Sequence, residues 1–478
     1  MTDATVQQSD TSTQQAPRGA LAVVLVAAFL VLADTSVVNI AAPVLQADLD
    51  ASFAETQWVV ASYQLAYAAL LITGGRLGDL YGHRRLFVAG LLGFVLASTA
   101  CAFATGPAVL IVARTLQGVT AAMMYPQTLS VIQVVVPPEQ RPKAFATFGM
   151  VASSATIIGP MIAGVAIQAN PLDSSWRLAF LVNVPVGVLG AIAAMRVLPA
   201  TRSPHARRLD LPGVLTVTAA LTCLCLPLIE GHEKGWPWWC FALLGCSVPL
   251  FALFALRCSA VHRRTKSALV PPSLWGQRGF TVGLVMYLLA YSGIASFFFY
   301  QSLMLQQAFD YSALAVSAIA TPFAVGSLGG YYSSAALARH TSGRMAIVTG
   351  GLIWSIGVGA AGATALLAGD GLQGWYFLPS FLIAGLGLGL ALAPLMGEVL
   401  KSVSGADAGS ASGTLSTGQQ IGAVLGMALI GSAYFAVLGS GDRQHYRLAF
   451  AVASFCIAVA AAALAAGVRF LPRTDTPR

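Results

Sequence analysis

The sequence is a succession of apolar runs, each about as long as a helix needs to cross hydrocarbon, separated by short polar turns. A helix rising 1.5 Å per residue needs about 20 apolar residues to cross a core of roughly 30 Å. Fourteen such windows lie near 20–44, 56–75, 86–104, 108–133, 144–168, 178–198, 210–230, 238–256, 279–305, 313–335, 345–367, 375–400, 409–437 and 448–470. The seventh and eighth contain Pro227 and Pro249 and are the least regular. Only 9% of the residues are charged, against about a quarter in a soluble domain. Most of the surface must therefore face lipid, and the chain reads as an all-α integral membrane protein.

Orientation follows from the basic residues, because cytoplasmic loops carry an excess of Lys and Arg. With the amino terminus inside, 21 of the 26 Lys and Arg fall in cytoplasmic segments, including Arg76, Arg84, Arg85, Arg207, Arg208, Arg263 and Arg264. Arg177, Lys234, Arg443 and Arg447 fall outside, and Arg114 lies within a span. Both termini are expected in the cytoplasm, which requires an even number of spans. The net charge of +8 is this asymmetry in bulk; its partner is the anionic inner leaflet of the bilayer, and no nucleic acid is implied. Scarce Lys beside abundant Ala, Gly and Arg fits a GC-rich bacterial genome, hence a bacterial cytoplasmic membrane.

Two basic, proline-containing linkers divide the chain. The expected organisation is a disordered cytoplasmic tail at 1–19, a six-helix bundle at 20–198, a linker with two extra transmembrane helices at 199–278, a second six-helix bundle at 279–470 and a tail at 471–478. Related halves rocking about a midplane site are a common transporter plan, although no sequence repeat links the halves by eye. The seven cysteines fall almost entirely within spans and form no metal-ligand or disulfide pattern. No metal, cofactor or obligate protein partner is implied. No nucleotide-binding loop or catalytic triad motif is present, so the chain does not read as an enzyme.

Charges deep in a membrane are costly and functional by default. Asp34, in LADTSVVNIAAP, lies about 15 Å from the outer end of span one, and Arg114, in LIVARTLQGVTAA, about 9 Å from the outer end of span four. A carboxyl in a dry site holds its proton more tightly, and a nearby guanidinium opposes that. Varying water access and distance would switch such a group between charge states, as proton coupling requires. Glu398 reads as interfacial, and Glu230 and His232 as solvated at the outer end of span seven.

These motifs resemble the major facilitator superfamily, and within it the fourteen-span drug:proton antiporters. GGRLGDLYGHRRLF, between spans two and three, is similar to the superfamily signature in Gly75, Leu77, Asp79, Gly82, Arg84 and Arg85, with His83 where a basic residue is more usual. The span-one motif matches in Asp34, Val37, Val38, Asn39 and Pro43, with Ser36 for the usual Thr. The span-four motif matches in Leu110, Arg114, Gln117, Gly118, Ala121 and Ala122. ATIIGPMIAG is similar to the span-five antiporter motif through Gly159, Pro160 and Gly164, with Ala155 and Ala163 replacing glycines. WRLAFLVNVPVG (176–187) and SGTLSTGQQIGAVLG (412–426) add further likeness, with Gln419 where arginine is frequent.

The resemblance implies a major facilitator fold of two six-helix bundles plus two extra transmembrane helices between them, 14 spans in all. It also implies a proton-coupled antiporter that exports hydrophobic or cationic drugs. Asp34 and Arg114 would then couple protons, while Gly75, Asp79, Gly82, Arg84 and Arg85 would gate the cytoplasmic side. Gly75 and Gly82 would permit a tight turn. Gly159, Pro160 and Gly164 would seal against leak. The energy source is the proton gradient, and the partners are protons, lipid and a small lipophilic or cationic substrate. Candidate substrate-cavity residues are Asn39, Tyr63, Gln64, Tyr67, Gln117, Met123, Tyr125, Tyr291, Phe298, Tyr300 and Gln301, an aromatic and Met-containing set suited to lipophilic solutes. The alternatives are an exporter dedicated to one secondary metabolite, giving self-resistance, and a proton-coupled nutrient symporter, which the span-five motif disfavours.

Overall fold

The computed structural model describes residues 18–137, 141–169, 176–200, 210–231, 234–265, 268–270, 272–400, 403, 408–439 and 441–472. Most of both predicted tails, the basic run at 201–209 and His232 lie outside them. The described residues form helices and no strand, as backbone groups in lipid require unless a sheet closes into a barrel. The first group comprises α1 (Arg18–Asp48), α2 (Phe53–Tyr81), α3 (His83–Ala102), α4 (Pro107–Val135), α5 (Arg141–Ala169), α6 (Arg177–Leu181) and α7 (Asn183–Val197). Next come α8 (Leu211–Glu230), α9 (Trp238–Thr265) and the short α10 (Pro272–Trp275). The last group is α11 (Arg278–Gln307), α12 (Ala313–His340), α13 (Gly343–Leu367), α14 (Leu378–Leu400), α15 (Ala408–Leu438) and α16 (Arg443–Gly467).

Twelve stretches among the described residues are helical, long and apolar enough to cross a membrane, α6 and α7 together making one of them. The helix α2 meets the same test only as a pair bent by 51° between Leu71 and Thr73. The break at Val182 has a local cause. Pro185 has no N–H to give the Leu181 carbonyl, so the helical bond that would bridge the break is missing. Apolar side chains cover the outside of the molecule: Leu96, Leu215, Val248, Ile356 and Val459 are each 65–71% exposed. Patches of this extent are made for lipid rather than water.

A repeat that the sequence hides is plain in the packing. In the first group α1 packs on α5 and α7, α2 on α4, and α3 on α4 and α7. In the last, α11 packs on α15 and α16, α12 on α14, and α13 on α14 and α16. The pairing is the same helix for helix. Both α2–α4 and α12–α14 depend on glycine at the crossing. A Cβ at Gly118 would collide with the Tyr63 carbonyl, and one at Gly385 with the Phe323 carbonyl. Close backbone approach of this kind replaces the hydrophobic effect as the source of helix association in lipid.

The two groups meet through α2–α15, α5–α12 and α1–α11. Their side-chain contacts gather toward the Arg-poor end, where α1 ends and α2 begins. Gln306 Nε2 donates to the Ile40 carbonyl at 3.0 Å, and Gln307 Nε2 to Gln46 Oε1 at 2.8 Å. The Phe53 and Phe435 rings lie 4.8 Å apart. The extra helices attach on this seam, α8 touching both α2 and α15. Glu230, expected to be solvated, is instead partly enclosed there because α8 leans on α2. It accepts from Trp58 Nε1 at 3.0 Å and pairs with Lys234 at 2.7 Å.

Candidate functional site

The structure brings Asp34 of α1 and Arg114 of α4 together in the interior of the first group, both side chains fully enclosed. Arg114 Nη1 donates to Asp34 Oδ2 at 2.5 Å. Three further contacts hold the guanidinium in plane. Its Nε donates to the Val59 carbonyl at 3.1 Å, Nη1 also reaches Gln117 Oε1 at 2.6 Å, and the guanidinium carbon sits 4.3 Å from the Tyr63 ring centre. Cation–π contact and fixed donors suit Arg here more than Lys.

The other carboxylate oxygen has partners that no charge pattern reveals. Asp34 Oδ1 accepts from Gln117 Nε2 and from Asn183 Nδ2, each at 2.9 Å. Ser98 Oγ lies beneath both amides, at 2.8 Å from Gln117 Nε2 and 3.4 Å from Asn183 Nδ2. Gln117, expected on the substrate wall, therefore belongs to the ion-pair network. Asn183 and Ser98 escaped the sequence reading as site residues. The available signal was rarity, since Asn183 is one of three asparagines in the chain and sits in an apolar run.

The span-five motif connects this network to the seam between the two groups. Gly159 faces Ala33, the neighbour of Asp34, with the place of its absent Cβ 3.0 Å from the Ala33 carbonyl. Five residues on, the place of a Cβ at Gly164 lies 2.7 Å from the Leu314 Cα of α12. Ser317 of α12 donates to the Pro160 carbonyl at 2.8 Å. Helix α5 thus touches α1 beside the carboxylate and, on another side, α12 across the seam.

At the Arg-rich end the signature adopts a shape other than the predicted one. Helix α2 runs on to Tyr81, so Gly75 lies inside a helix and not in a turn. The apolar window ends near residue 75, but the helical hydrogen bonds continue beneath the polar residues. The turn is Gly82 alone, at φ +99°, a conformation that glycine adopts without strain. His83 Nε2 lies 3.6 Å from Asp79 Oδ1, and its Nδ1 bonds Gln127 Oε1 at 2.8 Å. Arg84 donates to the Met195 carbonyl, tying α3 to α7, and Arg76 to the Ala268 carbonyl, tying α2 to the segment after α9. Arg85 is exposed.

Residues 24–427 match the description of the Major Facilitator Superfamily. The chain belongs to that superfamily. It is 37% identical over 457 residues to the cephamycin export protein CmcT of Amycolatopsis lactamdurans, covering 92% of this chain and 90% of that protein. It is 36% identical over 421 residues to a probable actinorhodin transporter of Streptomyces coelicolor, covering 88% and 73%. A puromycin resistance protein of Streptomyces alboniger is 35% identical over 417 residues, covering 86% and 80%. Among solved structures, a bacterial homologue of the human lysosomal transporter Spinster superposes with TM-score 0.68 at 17% identity, covering 96% of this chain and 98% of that one. At that identity the likeness speaks for the fold alone.

Within this superfamily fold the expected cavity residues separate. Tyr63, Tyr67 and Tyr125 form one chain of rings with successive centres 6.0 Å apart. Tyr291 stacks on Tyr287 at 5.9 Å. Among the described residues, the buried Asn39 and Gln64 have no partner for their amide oxygens, nor the buried Gln301 for its amide nitrogen. Met123 is half-buried on α4. Phe298 packs instead on Phe323 at 5.0 Å, and Tyr300 on Tyr434 at 4.5 Å with its hydroxyl on the Met427 carbonyl at 2.7 Å. Both belong to the packing of the last group. The described residues show no cluster of metal-ligating side chains.

Proposed function

We propose that this chain exports a lipophilic or cationic small molecule of the antibiotic type across the cytoplasmic membrane in exchange for protons. The relatives named for cephamycin export, actinorhodin transport and puromycin resistance support antibiotic efflux. The observation that carries proton coupling is the enclosed Asp34–Arg114 pair, at 2.5 Å and with neither side chain exposed. Fourteen spans, with α2 and α5 completing the twelve, give the even number that cytoplasmic termini require. The Arg-poor end, where the two groups touch, would then face outward.

Outward opening must part α5 from α12 and α1 from α11. Because α5 also lies against Ala33, a change of charge at Asp34 reaches the seam through one helix. Outward-facing, Asp34 would take up a proton as substrate leaves; released to the cytoplasm, that proton resets the site. Tyr125, which adjoins Tyr291 of the second group, backed by the rings of Tyr67 and Tyr63, would offer the substrate an aromatic wall.

Expression in an efflux-deficient host, challenged with puromycin, a cephamycin and unrelated lipophilic dyes, tests this reading. Raised tolerance to several unrelated classes marks a multidrug pump. Protection against one compound alone marks a dedicated self-resistance exporter, a narrower version that the relatives' names favour. No protection, with the protein present in the membrane, contradicts export of these classes.

Asp79 is proposed as the lock of the Arg-rich, cytoplasmic gate, with Gly82 setting the turn and Arg84 and Arg85 lying at the lipid surface. Losing one charged hydrogen bond there costs roughly 1–3 kcal/mol, enough to shift a balanced equilibrium about five- to 150-fold. Asp79→Asn should therefore slow export of every substrate by a similar factor and raise cysteine labelling from the cytoplasmic side. Loss of some substrates only, with labelling unchanged, would remove the gate.

A further inference from the structure

We infer that Asn183, supported by Ser98, is a positioning residue that sets the pH at which Asp34 takes up its proton. This deepens the reading of Asp34 as the proton carrier and rests on it. A carboxylate accepts hydrogen bonds and cannot donate them. Every polar contact of Asp34 among the described residues is a donor: Arg114 on Oδ2, and the Gln117 and Asn183 amides on Oδ1. The arrangement is built for the ionised form.

The donors differ in how free they are. Gln117 is fixed from both sides, its Oε1 held by Arg114 and its Nε2 shared between Asp34 and Ser98. Asn183 comes from a different element, standing at the first residue of α7 just past the break at Val182. It is 6% exposed, and among the described residues its Nδ2 is divided between Asp34 and Ser98. Ser98, fully buried on α3, accepts from both amides and so aims them at one oxygen. The other titratable groups around Asp34 are Arg114 and Tyr63 in contact with each other and Cys101, whose Sγ lies 3.7 Å from Gln117 Oε1. From α5, Gly159 faces the neighbouring Ala33 and brings no charge. Asn183 is thus the donor from α7 whose removal leaves the ion pair itself in place.

The test is an infrared titration of purified protein in detergent, following the carboxylic C=O band that is present in the wild type and missing in Asp34→Asn. It needs no substrate. With one donor to the ionised form removed, Asn183→Leu should move the midpoint of that band to higher pH by about one unit, the size of one hydrogen bond to a charged group. Asn183→Ser, which keeps a donor in a smaller side chain, should move it less. It also serves if the leucine variant does not fold. A midpoint unchanged in both variants, with the wild-type band titrating, overturns this inference alone. A wild-type Asp34 band that never titrates in the physiological range overturns the proton-carrier reading as well.

Discussion

Asp34→Asn is expected to stop proton-driven export while the protein still inserts and folds. The amide keeps the shape of the carboxyl but carries no titratable proton, and it leaves the Arg114 charge enclosed without its 2.5 Å partner. Stranding one member of a buried pair costs on the order of 3–5 kcal/mol. That cost falls on stability; with no proton to carry at this site, coupled export should fall to the background of vesicles that lack the protein. Efflux across an imposed pH gradient in everted vesicles, normalised to the amount of protein in the membrane, measures this. Export at the wild-type rate would remove Asp34 as the proton site.

Arg114→Lys should also be severely impaired, although it conserves charge. A lysine has no group to replace Nε on the Val59 carbonyl, and no planar face for the Tyr63 ring 4.3 Å away. A buried ammonium also releases its proton far more readily than a guanidinium. The lysine could hand a proton to Asp34 and leave a neutral pair that no longer responds to the gradient. One hydrogen bond to a charged group, at roughly 1.5–3 kcal/mol, sets the loss at about ten- to 150-fold. The same vesicle assay reads it, and full activity with lysine would reduce Arg114 to a counter-charge without geometry.

Asp34 and Arg114 could be found in the sequence because a charge in an apolar run is expensive enough to stand out. Their uncharged partners were harder to assign: Gln117 was expected on the substrate wall, and Asn183 was marked only by its rarity. Ser98, Gln117 and Asn183 cost little to bury once bonded, and similar residues serve ordinary packing throughout these helices. That the chain is a succession of membrane-crossing helices was legible, with twelve of them evident among the described residues, but the ends of helices were less so. Nothing in the hydropathy marks that α2 continues past Gly75 to Tyr81. The doubling of the fold was hidden for another reason. Helix pairs such as α2–α4 and α12–α14 need small residues at their crossings, as at Gly118 and Gly385, and that leaves most other positions free to diverge.

In this mechanism substrate leaves as protons enter through Asp34. In everted vesicles that have built up an acidic interior, adding an antibiotic the protein exports should dissipate part of the pH gradient when the wild-type chain is present. Vesicles carrying Asp34→Asn should hold their gradient on the same addition. Antibiotic accumulation with no proton movement, or equal dissipation by both proteins, would contradict the account.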